Sequence, residues 1–248
     1  MKKIYIFWLR QIKKYLRVKA RIAGSLFQPI LYMIAMGYGL GSVFQQAGQG
    51  NYIEFLVPGI IGMNIIFSSM FSGMEVIWDR QFGFLKETLV APMPRFNIML
   101  GRTLGTATIC ATQGLVVLLL ATLIGFRMEN WLMIVPAYLV MFVISMLFTS
   151  LSTMIGSILK DMQGFQAVMN FLIMPLFLLS GAMFPLDNLP KFLSVLTSVD
   201  PLSYGIDAMR AVLINQSHFS LGLDSAVLVA LSLVFLFLGG HYFKKIQI

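Results

Sequence analysis

The chain alternates long apolar runs with short polar breaks, and this pattern restricts it to a membrane-spanning fold. Six runs predict spans, because a helix needs roughly 20 apolar residues to cross the ~30 Å hydrocarbon core of a bilayer. They cover residues 22–44, 53–78, 103–126, 131–159, 164–183 and 221–243. With 58% hydrophobic and 11% charged residues, the chain has too few polar side chains to cover a soluble domain. We therefore predict an all-α integral membrane protein with six transmembrane helices.

The positive charges lie almost entirely on one side of this predicted topology. If the N-terminus is cytoplasmic, all but three of the 18 Lys and Arg residues fall in inner segments. The exceptions are Arg127, Lys191 and Arg210. Cytoplasmic loops of membrane proteins carry an excess of Lys and Arg, and short loops follow this rule best. The sequence thus predicts an N-in, C-in orientation, and its net charge of +8 reflects membrane sidedness and does not indicate a nucleic-acid partner.

Residues 1–21 form a basic amphipathic pattern at helical spacing. One side holds Ile4, Phe7, Trp8, Gln11, Ile12, Tyr15 and Val18, and the other holds Lys3, Arg10, Lys13, Lys14, Arg17 and Arg21. Such a helix directly before an apolar span is typical of an interfacial helix on the cytoplasmic leaflet, in contact with membrane lipid. A docking surface for a partner subunit is the alternative.

The longest charged interruption, residues 79–102, is predicted to be a cytoplasmic segment. Residues 83–91 can form a short helix with an apolar side, and Pro92 and Pro94 would end it. A short, half-apolar helix between two spans suits docking in a groove of another protein. The pattern alone leaves this interpretation and a solvated loop equally open.

The connection at residues 184–220 is longer than the other outer connections and rather apolar. Pro190 can open one short helix, and Asp200 followed by Pro201 is a good N-cap and N1 pair for a second helix reaching about Ile214. We expect two short helices that either dip into the outer leaflet or pack on the bundle as a folded loop.

The sequence offers no residues for enzymatic chemistry. It contains no G-x-x-x-x-G-K-[ST], H-E-x-x-H or G-x-S-x-G motif, and its two histidines, His218 and His241, lie far apart. No catalytic residue, metal site or bound cofactor is predicted. Ion-coupled carriers usually place ionisable groups within the membrane.

The polar residues inside the second span are few. Glu75 is the only acidic residue well inside a span, and we interpret it as a snorkelling or Arg-paired interfacial carboxylate rather than a proton relay. Asn64, Ser68 and Ser72 are candidates for lining a pathway. For Asn64, a hydrogen bond to a neighbouring helix is the commoner alternative.

Residues 75–102, EVIWDRQFGFLKETLVAPMPRFNIMLGR, resemble the segment after the second span in ABC-2-type exporter permeases. The matching positions are Glu75, Arg80, Gly83, Glu87, Leu89, Pro92, Arg95, Gly101 and Arg102, whereas Phe84 stands where the family usually has threonine. The run from Ser180 to Pro190 and the later Pro201–Tyr204 and Arg210 resemble the outer segment of the same family. In this outer segment, the positions that match the family are Gly181, Phe184, Pro185, Pro201, Tyr204 and Arg210. Within the family, the chain is most similar to small drug-resistance and nodulation-type permeases.

The resemblance implies a half-transporter in the inner membrane of a prokaryote. Two permease copies, identical or paralogous, would form the pathway, and two copies of a separate ATPase would bind ATP and Mg. The implied coupling residues are Glu75, Arg80, Gly83, Lys86, Glu87, Leu89, Pro92, Arg95 and Arg102. The expected function is export of an amphipathic, drug-like or lipid-linked substrate. An ion-coupled secondary carrier and a non-transporting membrane scaffold are the alternatives.

Overall fold

The helices were examined in a computed structural model, which describes residues 2–46, 51–84, 94–128, 130–186 and 190–246. All regular secondary structure in these ranges is helical. The helices are α1 (Lys2–Arg17), α2 (Lys19–Gln46), α3 (Tyr52–Phe71), α4 (Met74–Gln81), α5 (Arg95–Ile124), α6 (Ile134–Ile158), α7 (Met162–Leu179), α8 (Lys191–Val199), α9 (Pro201–Ile214) and α10 (Leu221–Lys244). A 3-10 turn at Trp131–Met133 leads into α6.

Six helical stretches among the described residues are long and apolar enough to cross a bilayer. They are α2, the α3–α4 pair, α5, the 3-10 turn with α6, α7 and α10. This confirms the predicted all-helical, six-span fold.

The boundaries of the charged segment differ from those that the sequence predicts. Residues 79–81 complete α4, and residues 95–102 form the first two turns of α5. Hydropathy places a break at these residues because Arg95 and Arg102 are charged, but both arginines have partners within the bundle and the helix continues through them. Residues 82–94 lie between these two helices, and most of the short helix predicted at 83–91 lies outside the described residues.

Helix α3 lies at the centre of the bundle, with fourteen of its twenty residues buried. It packs against α2, α5, α6, α7 and α9. Two glycines allow this close packing: a Cβ on Gly59 would lie 2.2 Å from the Ala182 carbonyl oxygen, and one on Gly62 would lie 2.8 Å from Cγ1 of Ile206. Small residues at helix interfaces permit such close approach in membrane proteins.

At Ser72 and Gly73 the backbone keeps right-handed helical angles, but its hydrogen bonds tighten to the i→i+3 pattern. This junction, where α3 ends and α4 begins, is called the break in the second span below. The Gly73 amide donates to Ser152 Oγ at 2.9 Å, and the Ser152 hydroxyl donates to the Met70 carbonyl. A Cβ on Gly73 would lie 2.3 Å from the Ser152 carbonyl oxygen. The break in the second span is thus held directly against the backbone of α6.

The two helices predicted between spans five and six are confirmed. Pro190 is the N-cap of α8, and Asp200 caps α9 by accepting a hydrogen bond from the Leu202 amide at 2.9 Å. Helix α9 ends at Ile214, as predicted. It packs into the bundle, because a Cβ on Gly205 would contact the side chain of Ile144, well inside α6.

Helix α8 differs from α9 in its burial. Its apolar residues Phe192, Val195 and Val199 are exposed. The outer segment therefore combines one helix that belongs to the packed bundle with one that lies on its surface.

Candidate functional site at the basic end of the bundle

One end of the bundle gathers α1, α4, the start of α5 and the end of α10, and it is called the basic end below. Helix α1 lies on α5, where Gly101 and Gly105 face its backbone; a Cβ on Gly101 would lie 2.8 Å from the Ile4 carbonyl oxygen. Trp8 Nε1 donates to Thr108 Oγ1 at 3.0 Å. The apolar side predicted for α1 is therefore covered mainly by the chain's own third span, while Tyr5, Ile6 and Leu16 stay exposed.

Glu75 is paired with two cations from the N-terminal part of the chain. Its carboxylate accepts from Arg21 Nη1 at 3.1 Å, and Lys14 Nζ lies 3.3 Å from its second oxygen. The Glu75 side chain is 13% exposed, so the pair joins α1 and α2 to α4 at a nearly buried position. Of the two interfacial arrangements considered for Glu75, the structure contains the pairing with arginine.

Asp79 and Arg102 form a buried ion pair between α4 and α5. Arg102 Nη1 donates to Asp79 Oδ2 at 2.7 Å, and the two side chains are 7% and 10% exposed. Arg102 is among the residues predicted from the sequence, whereas Asp79 is not. The sequence did contain one indication of this pair. An arginine at the end of a span needs a counter-charge, and Asp79 lies at the other end of the same charged segment, residues 79–102.

Arg95 contacts the end of the last span. Its Nη1 donates to the carbonyl oxygens of Lys244 at 2.7 Å and Ile246 at 3.1 Å. An arginine near a helix C-terminus satisfies carbonyls that have no partner within the helix. Arg95 therefore joins the start of α5 to the end of α10.

The remaining residues predicted for coupling have different positions. Arg80 lies in the last turn of α4, and Gly83 follows that helix with a φ of +81°, a left-handed conformation that glycine adopts readily. Phe84 is exposed. Lys86, Glu87, Leu89 and Pro92 lie outside the described residues.

A polar cavity of about 330 Å³ lies beside Glu75. Ser68 and Ser72 line it, together with side chains from α1, α2 and α5. Gln113 is buried at its wall and donates to Tyr15 OH at 2.7 Å and Ser25 Oγ at 3.0 Å. The serine candidates of the second span thus share one cavity with the Glu75 ion pairs.

Asn64 does not line this cavity. It is 6% exposed and donates to the Ser25 carbonyl oxygen at 2.9 Å. This is the hydrogen bond to a neighbouring helix that was the alternative to a pathway role.

The outer-segment residues meet at the opposite end of the bundle. Arg210 Nη2 donates to the Gly181 carbonyl oxygen at 2.7 Å, and its guanidinium lies 3.9 Å from the centroid of the Phe55 ring. Arg210 and Pro185 line a small cavity of about 140 Å³.

The other residues predicted in the outer segment make contacts close to them in sequence or lie at the surface. Tyr204 OH donates to the Ser198 carbonyl oxygen at 2.6 Å, Pro201 occupies the first turn of α9, and Phe184 is partly exposed. Asp207 was not predicted from the sequence, and its carboxylate accepts from the amides of His218 at 2.8 Å and Phe219 at 2.6 Å.

Comparison with known proteins agrees with this arrangement. Residues 2–214 match the family model described as ABC-2 type transporter. The chain belongs to the ABC-2 type transporter family. This confirms the resemblance seen in the sequence, and it makes the chain a multi-pass transmembrane subunit of a transporter.

Relatives in this family cover most of the chain. A putative transport permease, ycf38, from Cyanophora paradoxa is 26% identical over 91% of this chain and 82% of the relative. Nodulation protein J from Rhizobium leguminosarum bv. viciae is 26% identical over 84% and 81%. The inner membrane transport permease YadH from Escherichia coli K12 is 26% identical over 92% and 89%. Permease subunits of this family are not themselves the ATPase of the transporter.

Proposed function

We propose that the chain is the permease subunit of an ATP-driven exporter in a prokaryotic inner membrane. It moves an amphipathic, drug-like or lipid-linked substrate outward, and a separate ATPase subunit, present in two copies, binds and hydrolyses ATP with Mg. The basic end faces the cytoplasm in this proposal, which is consistent with the positive-inside rule. Membership of the ABC-2 family and the permease names of its relatives support this role.

The Asp79–Arg102 ion pair is the observation on which the proposal rests. It joins the last turn of α4 to the second turn of α5, the two helices that flank residues 82–94. Breaking a buried ion pair is costly because it leaves an unpaired charge, so the two helix ends are expected to move as one unit. A force applied to the connection by an ATPase would therefore reach both spans together.

The break at Ser72 and Gly73 is the proposed hinge about which the paired ends of α4 and α5 rotate. Helix α4 begins there, and hinge positions are commonly found at the ends of helices. Glu75 lies in the first turn of α4 and is held by Lys14 and Arg21. Rotation of α4 would therefore also move the N-terminal helix and the first span.

A second permease copy completes the proposed transporter, either identical or paralogous. The spans α2, α7 and α10 are mostly exposed and carry large apolar side chains. Examples are Phe27 on α2, Phe171 on α7 and Phe237 on α10. Lipid on some of these faces and a second copy on another would cover them.

Co-purification with the ATPase tests the proposal. The chain is expressed with a candidate ABC ATPase subunit, purified, and reconstituted in vesicles with and without ATP and Mg. We expect a stable complex whose ATP hydrolysis depends on the permease. Transport driven by an ion gradient without any ATPase would contradict the proposal, as would a complex in which no substrate stimulates hydrolysis.

Variants at the proposed coupling segment separate coupling from insertion. We expect Glu87→Ala and Arg95→Ala to hydrolyse ATP without export while inserting normally in the membrane. Arg127→Ala removes an exposed charge at the opposite end and serves as the matched control. Normal transport by both coupling variants would contradict the coupling role.

A further inference from the structure

The polar cavity beside Glu75 has the composition of an anion site. Three charged side chains line it: Lys14 from α1, Arg21 from α2 and Glu75 from α4. The two cations and one carboxylate leave a net charge of +1. The cations are about half exposed, at 45% and 49%, whereas Glu75 is nearly buried. A ligand entering the cavity therefore meets the two cations more readily than the carboxylate.

The wall of the cavity also carries polar side chains held in place by hydrogen bonds. Gln113 is 6% exposed, and its Nε2 donates to Tyr15 OH at 2.7 Å and to Ser25 Oγ at 3.0 Å. Ser68 and Ser72 add further hydroxyl groups to the lining.

An apolar groove of about 250 Å³ adjoins the polar cavity. It is lined mainly by Ile12, Leu16, Ile22, Leu26, Ile109 and Val116. Tyr15, Ile109 and Gln113 line both spaces, so the groove and the cavity share a wall. Together they present a cationic, hydrogen-bonding cavity beside an apolar groove between α1, α2 and α5.

We propose that this composite site binds one anionic phospholipid, with its phosphate in the polar cavity and an acyl chain in the apolar groove. The charge complementarity favours a phosphate, since Lys and Arg form charge-assisted hydrogen bonds to phosphate oxygens. The adjoining groove favours an amphiphile over a free anion, because burial of the acyl CH₂ groups against apolar side chains adds to the affinity. The bound lipid joins the N-terminal helix to the second and third spans. This inference does not depend on the ATPase, and its test uses the permease alone.

Native mass spectrometry of the full chain in a neutral detergent measures the binding directly. The probe is dioctanoyl phosphatidylglycerol, which carries a phosphate and free hydroxyl groups, and zwitterionic dioctanoyl phosphatidylcholine is the comparison. We expect one phosphatidylglycerol to bind with higher affinity than phosphatidylcholine. Inorganic phosphate is the competing free anion, and we expect it not to displace the lipid. Displacement by inorganic phosphate as effective as by the lipid itself would overturn the proposal.

Charge variants test the polar cavity. Lys14→Gln with Arg21→Gln is expected to weaken phosphatidylglycerol binding about tenfold or more, because charge-assisted contacts to phosphate are lost. Lys13→Gln with Arg17→Gln makes the same charge change on the exposed face of α1, outside the cavity, and should leave binding within about twofold. Equal weakening by both pairs would overturn the site and indicate general attraction to a basic helix.

Glu75→Gln is expected to change the affinity for phosphatidylglycerol in the direction opposite to the Lys14 and Arg21 substitutions. Removing the carboxylate frees both cations, so we expect tighter phosphatidylglycerol binding. Weaker binding in this variant would mean that Glu75 holds a cationic group of the ligand, and the proposal would fail.

A groove-filling variant tests the acyl-chain position. Thr112 is exposed at the groove, so Thr112→Trp can fill the groove without disturbing the core, and we expect it to weaken lipid binding. Leu119→Trp, at an exposed position farther along α5, is the matched control and should bind normally. No difference between the two tryptophan variants would contradict the acyl-chain assignment.

Discussion

The two ends of this bundle stabilise their charged residues in different ways. At the basic end, charged groups join separate helices, as in the pairs of Asp79 with Arg102 and of Glu75 with Lys14 and Arg21 and in the hydrogen bonds from Arg95 to the carbonyls at the end of α10. At the opposite end, charged groups bind backbone: Arg210 donates to the Gly181 carbonyl, and Asp207 accepts from the amides of His218 and Phe219. The first arrangement joins helices to one another, whereas the second fixes turns.

This difference indicates which end can change shape. Ion pairs between helices let the paired helices move together as one unit, while a charge that satisfies backbone groups of a turn must break that turn to move. The basic end also contains the break in the second span and the polar cavity. We therefore expect the basic end to be the moving part of the transporter and the opposite end to hold the spans together.

The largest effect is expected from breaking the Asp79–Arg102 pair. Arg102→Met leaves Asp79 as a buried unpaired charge and should cost about 3–5 kcal/mol of unfolding free energy. Asp79→Leu combined with Arg102→Met removes both charges and should recover most of that loss. Denaturant unfolding in detergent measures both variants. A double variant no more stable than the single one would show that the pair is not what holds α4 to α5.

A pH dependence is expected at the opposite end. Burial raises the pKa of Asp200 to about 7, while hydrogen bonds from the Leu202 amide and the Ser203 hydroxyl favour the carboxylate. The unfolded pKa is near 3.9, so the folded chain binds the proton more tightly, and stability should fall as pH rises from about 4 to 7. Over this pH range the free energy of unfolding should fall by up to about 4 kcal/mol.

Asp200→Asn should abolish this pH dependence, because asparagine is an equally good N-cap that does not titrate. Thermal unfolding at pH 5 and pH 8 checks it. Asp161→Asn, at the exposed cap of α7, is the matched control and should retain the wild-type slope. Identical slopes in the two variants would contradict the role of Asp200.

Substitution of Arg210 measures how much a charged side chain bound to backbone contributes to the free energy of unfolding. Arg210→Gln loses the hydrogen bond to Gly181 and the stacking on Phe55, which should cost about 2–3 kcal/mol. Arg127→Gln, an exposed residue near the same end, should change stability by less than about 0.5 kcal/mol. Equal effects of the two substitutions in an unfolding titration would remove the distinction between the ends.

The smallest effect is expected at the break in the second span. Gly73→Ala places a methyl group against the Ser152 carbonyl and should cost about 1–3 kcal/mol. Gly24→Ala has open space around its new methyl group and should stabilise α2 by about 0.5–1 kcal/mol. Effects of the same sign in the two unfolding measurements would show that contact with α6 does not hold the break.

The sequence by itself determined the features that depend on local pattern. Hydropathy predicts the six spans, because a helix in lipid needs an unbroken apolar run. The Asp200–Pro201 pair predicts where α9 begins, because capping is decided by neighbouring residues. The segment around residues 75–102 likewise carries the family resemblance, since a motif is read along the chain.

Only the tertiary structure decided which helices meet. Sequence pattern did not indicate that α5 would start at Arg95, that Asp79 would pair with Arg102, or that α9 would pack beside Gly62 and Ile144. Periodicity reports which side of a helix avoids water, but all sides of a membrane helix can be apolar. The partner of each face is set by the fit of side chains across distant parts of the chain, and that fit exists only in the folded bundle.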